Sequence, residues 1–85
     1  MRFSIEAEQA VLGALLVDPN IYHDLCDLIS IDDLYADQHK RILSHITGLN
    51  NRSVVADSQA VVMTLMESGN NDDAIYCVDI ANNGT

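Results

Sequence analysis

"SIEAEQAVLGALLVDP", residues 4–19, reads as one complete helix with its own start and stop. Ser4 is a good N-cap, because its hydroxyl can accept from the unpaired N–H groups of the first turn. Glu6 and Glu8 follow in the first two turns, where the helix dipole favours negative charge, and Asp18-Pro19 ends the run. Ala7, Val11, Ala14 and Leu15 fall on one stripe, which Leu12 and Leu16 widen. The helix is amphipathic at its start and nearly all apolar at its end, so its second half belongs at the centre of a core.

Working outward, the rest of the chain keeps the same period. Pro19 fits the first turn of a second helix running to about Ile29, with Ile21, Leu25, Leu28 and Ile29 facing inward. "SIDDLYADQH" reads as a turn or a single helical turn. A third helix starts near Asp37, carries Ile42, Leu43, Ile46 and Leu49 inward and ends at "NNRS", residues 50–53. Val54 and Val55 are extended in character, and Asp57 can cap a fourth helix reaching Glu67, with Val61, Val62, Leu65 and Met66 apolar. Gly69 is the natural residue beyond its end, since glycine takes the left-handed conformation without a Cβ penalty. A fifth helix, from Asp72 or Asp73 to about Ala81, carries Ile75, Tyr76, Val78 and Ile80. No segment alternates long enough to make a strand, so the fold class is all-α: a compact orthogonal bundle of about five short helices joined by short connections.

A chain of 85 residues makes one small domain. Its core buries roughly 60–65% of the unfolded surface and contributes only about 3–5 kcal/mol of stability. The apolar content of 48% with a single Pro is that of a folded domain. Thirteen Asp and Glu against four Lys and Arg give a formal charge of −9. Such a surface repels phosphate backbones, which argues against direct nucleic-acid binding and suits either solubility or a basic protein partner. No apolar run is long enough to span a membrane, and Glu6, Glu8 and Gln9 interrupt any secretory core, so a cytoplasmic protein is expected. Cys26 and Cys77 should then stay reduced, each behaving as a small hydrophobe among apolar neighbours.

Catalytic chemistry finds little support. A phosphate-binding loop cannot be drawn through Gly13, Gly48, Gly69 and Gly84 with Lys40 as the only lysine, which excludes ATP hydrolysis by that route. His23 and Cys26, with His39 and His45, are the residues from which a metal site would be built, but paired short spacings are missing. A thiolate nucleophile at Cys26 or Cys77 would need positive surroundings, and the local charge is negative. Asp32 with Asp33, and Asp72 with Asp73, stand beside helix starts, where carboxylates cap or are solvated. Tyr35 is expected to anchor the turn before the third helix in the core, while Tyr76 reads first as a core filler and second as a ring presented to a partner.

Four stretches taken in order carry a resemblance. "SIEAEQAVLGALLVDP" resembles the opening of the N-terminal domain of DnaB-type replicative DNA helicases, and "DDLYADQHKRIL", residues 32–43, is similar to that family's Asp-Phe-Tyr turn and third helix. "VVADSQAVVMTLMESG", residues 54–69, resembles its capped fourth helix, and "AIYCVDIANN", residues 74–83, its Tyr-containing fifth. Asp72 and Asp73 stand where the family commonly has Gly-Gly, and "NNRSVV" lacks the family's Pro. The resemblance implies a single head domain over residues 1–85, without the family's helical hairpin, linker and RecA-like ATPase domain. It implies a non-catalytic role: self-association in the helicase collar and docking of a DnaG-type primase or a helicase loader in the primosome. ATP and Mg would belong to the motor domain, leaving no cofactor in this chain. Tyr76, with Asp72, Asp73 and Asp79, is the partner-binding set that it suggests. A free-standing phage or plasmid regulator that mimics the head and binds host replication proteins is the alternative reading.

Overall fold

The computed structural model describes residues 4–83. Five α-helices appear among them: α1 (Ile5–Val17), α2 (Tyr22–Leu25), α3 (Asp37–Asn51), α4 (Ser58–Glu67) and α5 (Asn71–Asn83). Short 3₁₀ turns occupy Pro19–Ile21 and Ile31–Asp33, and no strand is present among the described residues. The fold is all-α, as the 3.6-residue periodicity predicts. The radius of gyration of 11.4 Å matches the roughly 12 Å of a well-packed domain of this length.

Local chemistry sets most helix ends. The Ala7 N–H donates to Ser4 Oγ at 3.1 Å, and the Ala60 N–H donates to Asp57 Oδ1 at 2.9 Å, so both expected caps are made. Helix α4 closes with two bonds: Gly69 N–H to the Met66 carbonyl and Asn70 N–H to the Leu65 carbonyl, with Gly69 at φ 81°. Helix α3 ends in the same way. Ser53 N–H donates to the Asn50 carbonyl and Val54 N–H to the Leu49 carbonyl, but here the left-handed residue is Ser53, at φ 60°.

The core is built by Leu12, Leu15 and Leu16 of α1, Ile42, Leu43, Ile46 and Leu49 of α3, Val61 and Leu65 of α4, and Ala74, Cys77 and Ile80 of α5. Helix α5 packs against α4 and α1, and α3 packs against α4 and α1. The second half of α1 is central, as its apolar end implies. The stripe itself is rotated from the expected one: Glu8, Leu12, Leu15 and Leu16 are buried, whereas Ala7, Val11 and Ala14 are only partly covered.

Four other expectations need correction. The second helix stops at Leu25, with a last turn closed by Cys26 N–H to the Tyr22 carbonyl, and does not reach Ile29. His23, Asp24 and Asp27 keep this segment at the surface, and Leu28 stays 73% exposed. Tyr35 is not a core anchor. Leu34 is extended and buried, so its neighbour Tyr35 points the opposite way and is 67% exposed. Cys26 is exposed, while Cys77 is buried as expected. Helix α5 begins before Asp72 and continues past Ala81, so neither Asp72 nor Asp73 is its cap.

Candidate functional site

The residues singled out in sequence lie on α5, but its faces differ. Asp72 and Asp79 are exposed, Tyr76 is half-buried, and Asp73 is buried. Asp73 is not a free surface carboxylate: its Oδ2 accepts from Arg41 Nε at 2.6 Å, and its Oδ1 accepts from Arg41 Nη2 at 3.1 Å and from Gln38 Nε2 at 3.0 Å. This forked, charge-assisted contact ties the start of α5 to α3. It holds the Asp73 carboxyl below its ordinary value, the Arg41 hydrogen bonds outweighing the opposing effect of burial.

Tyr76 turns toward α1 and α3. Its hydroxyl accepts from Gln9 Nε2 at 2.8 Å and lies 2.6 Å from His39 Nε2, while its ring stacks on the His39 ring with centroids 5.5 Å apart. On the far side of that imidazole, Nδ1 sits 2.7 Å from Glu8 Oε1. Glu8 also accepts the Tyr35 N–H at 2.6 Å and the Ala36 N–H at 3.4 Å. Glu8 is completely buried and His39 is 2% exposed.

One arrangement of protons satisfies the whole network. A carboxylate only accepts, so His39 Nδ1 carries a proton and donates to Glu8. With the ring neutral, Nε2 accepts from the Tyr76 hydroxyl, whose oxygen accepts from Gln9, and every member is satisfied. No buried side-chain nitrogen or oxygen among the described residues lacks a partner. Burial pushes the Glu8 carboxyl up, but the hydrogen bonds from His39 and from the Tyr35 and Ala36 backbone prevail and hold it below its ordinary 4.5. A charged group without solvent exposure is thereby compensated by three donors drawn from residues 35–39.

Sequence reasoning assigned Glu8 to the helix dipole and His39 to a possible metal set, and so missed their pairing. The signal was present in the register. Glu8 lies four residues before Leu12 and His39 three before Ile42, so each polar group sits within the apolar face of its own helix. The other histidines are elsewhere: His45 Nδ1 is 3.1 Å from Thr64 Oγ1, and exposed His23 meets Tyr22 edge-on. Among the described residues, no three His, Cys, Asp or Glu side chains converge as metal ligands. Cys77 is a packing residue, since burial, then the Asp73 charge, push its thiol up to about 12. At the other pair of carboxylates, the Ser30 N–H donates to Asp33 Oδ2 at 2.9 Å, so Asp33 does serve as a local cap. Among the described residues, no helix is long and apolar enough to cross a membrane.

Comparison with known proteins places this arrangement. The family model described as the DnaB-like helicase N terminal domain matches residues 1–85. The replicative DNA helicase DnaC of Bacillus subtilis is 32% identical over 82 residues, which is 93% of this chain and 18% of that protein. The replicative DNA helicase DnaB of Synechocystis sp. is 31% identical over 64 residues, covering 75% of this chain and 7% of that protein. The chain thus spans less than a fifth of the length of either relative. Among solved structures, the N-terminal domain of the DnaB helicase from Mycobacterium tuberculosis superposes with a TM-score of 0.83 at 26% identity, over 93% of this chain and 57% of that one. With the family match running the length of the chain and the fold in agreement, this chain belongs to the DnaB-like helicase N-terminal domain family.

Proposed function

We propose that this chain is a non-catalytic protein-interaction head of a DnaB-type replicative helicase, contributing to the N-terminal collar of the hexamer and docking primase or a loader. The full-length family match carries the reading. ATP and Mg²⁺ are assigned to the motor domain of the parent helicase, and the working compartment to the cytoplasm. Tyr76 is the proposed centre of the docking face. Half-buried, it rests on the Gln9 and His39 bonds, so its exposed edge is held rigidly, which lowers the entropy lost on binding. Exposed Asp72 and Asp79 would steer a basic partner, and Asp73 would act indirectly by fixing the start of α5 against α3.

The test is an NMR titration with the C-terminal helicase-binding domain of the primase from the same source. Shifts centred on Tyr76, weakened by Asp79→Asn and flattened by salt, are expected. Binding that leaves α5 unperturbed would remove Tyr76 from the interface, and no binding at high micromolar concentration would refute primase docking by this head. For the collar, light scattering of the purified domain should show a monomer or weak dimer; a stable hexamer would contradict a ring closed by other parts of the helicase.

A further inference from the structure

We propose that the proton state of His39 decides which hydrogen-bonding group the Tyr76 docking face presents, by turning over the side-chain amide of Gln9. Its consequence for a partner rests on the docking reading above; the rearrangement itself lies wholly within this chain. Four side chains make the path. Glu8 Oε1 and His39 Nδ1 are 2.7 Å apart, His39 Nε2 and the Tyr76 hydroxyl 2.6 Å, and that hydroxyl and Gln9 Nε2 2.8 Å. The path runs from α1 to α3, on to α5 and back to α1.

Nδ1 already donates to a carboxylate, so a second proton on this ring goes to Nε2, which changes from acceptor to donor. The Tyr76 oxygen then accepts from His39 and has to place its own proton elsewhere. Its other partner is Gln9. A primary amide carries its acceptor and its donors on opposite arms of one plane, so half a turn about the last bond of Gln9 puts Oε1 where Nε2 stood. Every member is again satisfied. The network therefore has two complete sets of bonds, which differ by one proton and by the arm of Gln9 that faces outward. Gln9 and Tyr76 are both half-buried, so the change reaches the surface.

That surface is acidic. Asp72 lies four residues before Tyr76 on α5 and Asp79 three after it, both exposed, and Ile75 is 63% exposed. With His39 neutral, Gln9 adds a carbonyl oxygen as a further acceptor for a cationic side chain. With His39 charged, Gln9 presents its NH₂ beside a positive ring, and both oppose a basic partner. Docking of such a partner and protonation of His39 are thus antagonistic, each weakening the other by the same factor. Of the ionisable groups on the elements packed against α3, helix α1 brings exposed Glu6 and buried Glu8, whose carboxyl burial raises but hydrogen bonds hold below the ordinary 4.5. Helix α5 brings Tyr76, Asp73, which Arg41 closes, and Cys77, whose thiol burial pushes up to about 12. The turn at Ile31–Asp33 brings exposed Asp32 and Asp33, which accepts from Ser30, and α4 only exposed Glu67. Asp37, Lys40 and His45 share α3 with His39, exposed or half-buried. Within the network, His39 is the member that changes charge on mild acidification.

The test is NMR of the 15N-labelled domain from about pH 8 to about pH 5, reading the His39 ring nitrogens for tautomer and charge and the Gln9 NH₂ signals for the amide. The Gln9 signals should move with the His39 midpoint, while His23 and His45 titrate in the same spectra as controls. Gln9→Met is the decisive variant. It leaves the neutral network intact, with Tyr76 donating to His39, but removes the acceptor that the charged form needs. His39 should then take up its proton only at an about threefold or more higher proton concentration. Gln9→Glu, an acceptor only, should ease the same uptake, and far-UV circular dichroism confirms that both variants are folded. An unchanged His39 titration in Gln9→Met, Gln9 signals that ignore His39, or a His39 that stays neutral until the domain unfolds would each overturn the proposal. Repeating the primase-domain titration on either side of the His39 midpoint reads the consequence: affinity should be about fivefold or more lower on the acid side, and the ratio should shrink in Gln9→Met. Equal affinity at both pH values would refute control of docking. No binding at either would refute the docking reading alone, because the turn of Gln9 stands or falls on the NMR of the free domain.

Discussion

Replacing Glu8 by alanine removes the acceptor at the centre of the polar chain while leaving all three of its donors in place. The Tyr35 N–H, the Ala36 N–H and His39 Nδ1–H then face a space with no solvent exposure. Leaving a buried donor unsatisfied costs about 1–3 kcal/mol, so the gross cost is about 3–9 kcal/mol. Water entering the vacated volume recovers part of that, giving a net loss of about 3–5 kcal/mol. An 85-residue domain has a total stability of about 4–13 kcal/mol, so the variant is close to unfolding at room temperature. Thermal and urea denaturation at pH 7, followed by circular dichroism, should show the midpoint lowered by at least about 12 °C. Glu8→Gln keeps one acceptor oxygen and should lose roughly half as much. Exposed Glu6→Ala, two residues away on the same helix, is the control and should stay within about 0.5 kcal/mol. A loss at Glu8→Ala no larger than at Glu6→Ala would refute the reasoning, since it would mean that the three donors find other partners at little cost.

Three further outcomes can be checked. The folded state holds Glu8, Asp73 and Asp33 below their ordinary values, so each contributes stability that is present above the unfolded carboxylate range and lost as pH falls through the folded value; urea midpoints should be flat near neutrality and drop below about pH 4.5, and a midpoint that rises on acidification would contradict this. Ser53 holds a left-handed conformation at φ 60° that costs a non-glycine residue roughly 1 kcal/mol, so Ser53→Gly should raise stability by up to that amount in urea denaturation, and a loss would show that the serine side chain contributes more than the strain costs. A thiol reagent at pH 8 should modify exposed Cys26 within minutes and spare buried Cys77, whose thiol is pushed up to about 12, until urea unfolds the domain; two fast thiols in the native protein would overturn the burial.

Sequence alone determined the helical class, the caps at Ser4 and Asp57, the turn at Gly69 and the inward set of α3, because each rests on interactions within a few residues of the chain. It also carried the family resemblance. Boundaries failed where local signals were weak: the polar residues around His23 to Asp27 gave an apolar period nothing to bury against, and the second helix shortened to one turn. Partnership between distant residues was beyond reach. Glu8 and His39 are 31 positions apart, and Arg41 and Asp73 are 32 apart, so their pairing depends on how α1, α3 and α5 cross. Tyr76 shows the same limit, since its period on α5 favoured the core while leaving a surface reading open, and packing against His39 made it half of each. Short-range geometry is written in the order of residues, whereas burial of a charge or exposure of Ile75 follows only when the helices have chosen which faces to share.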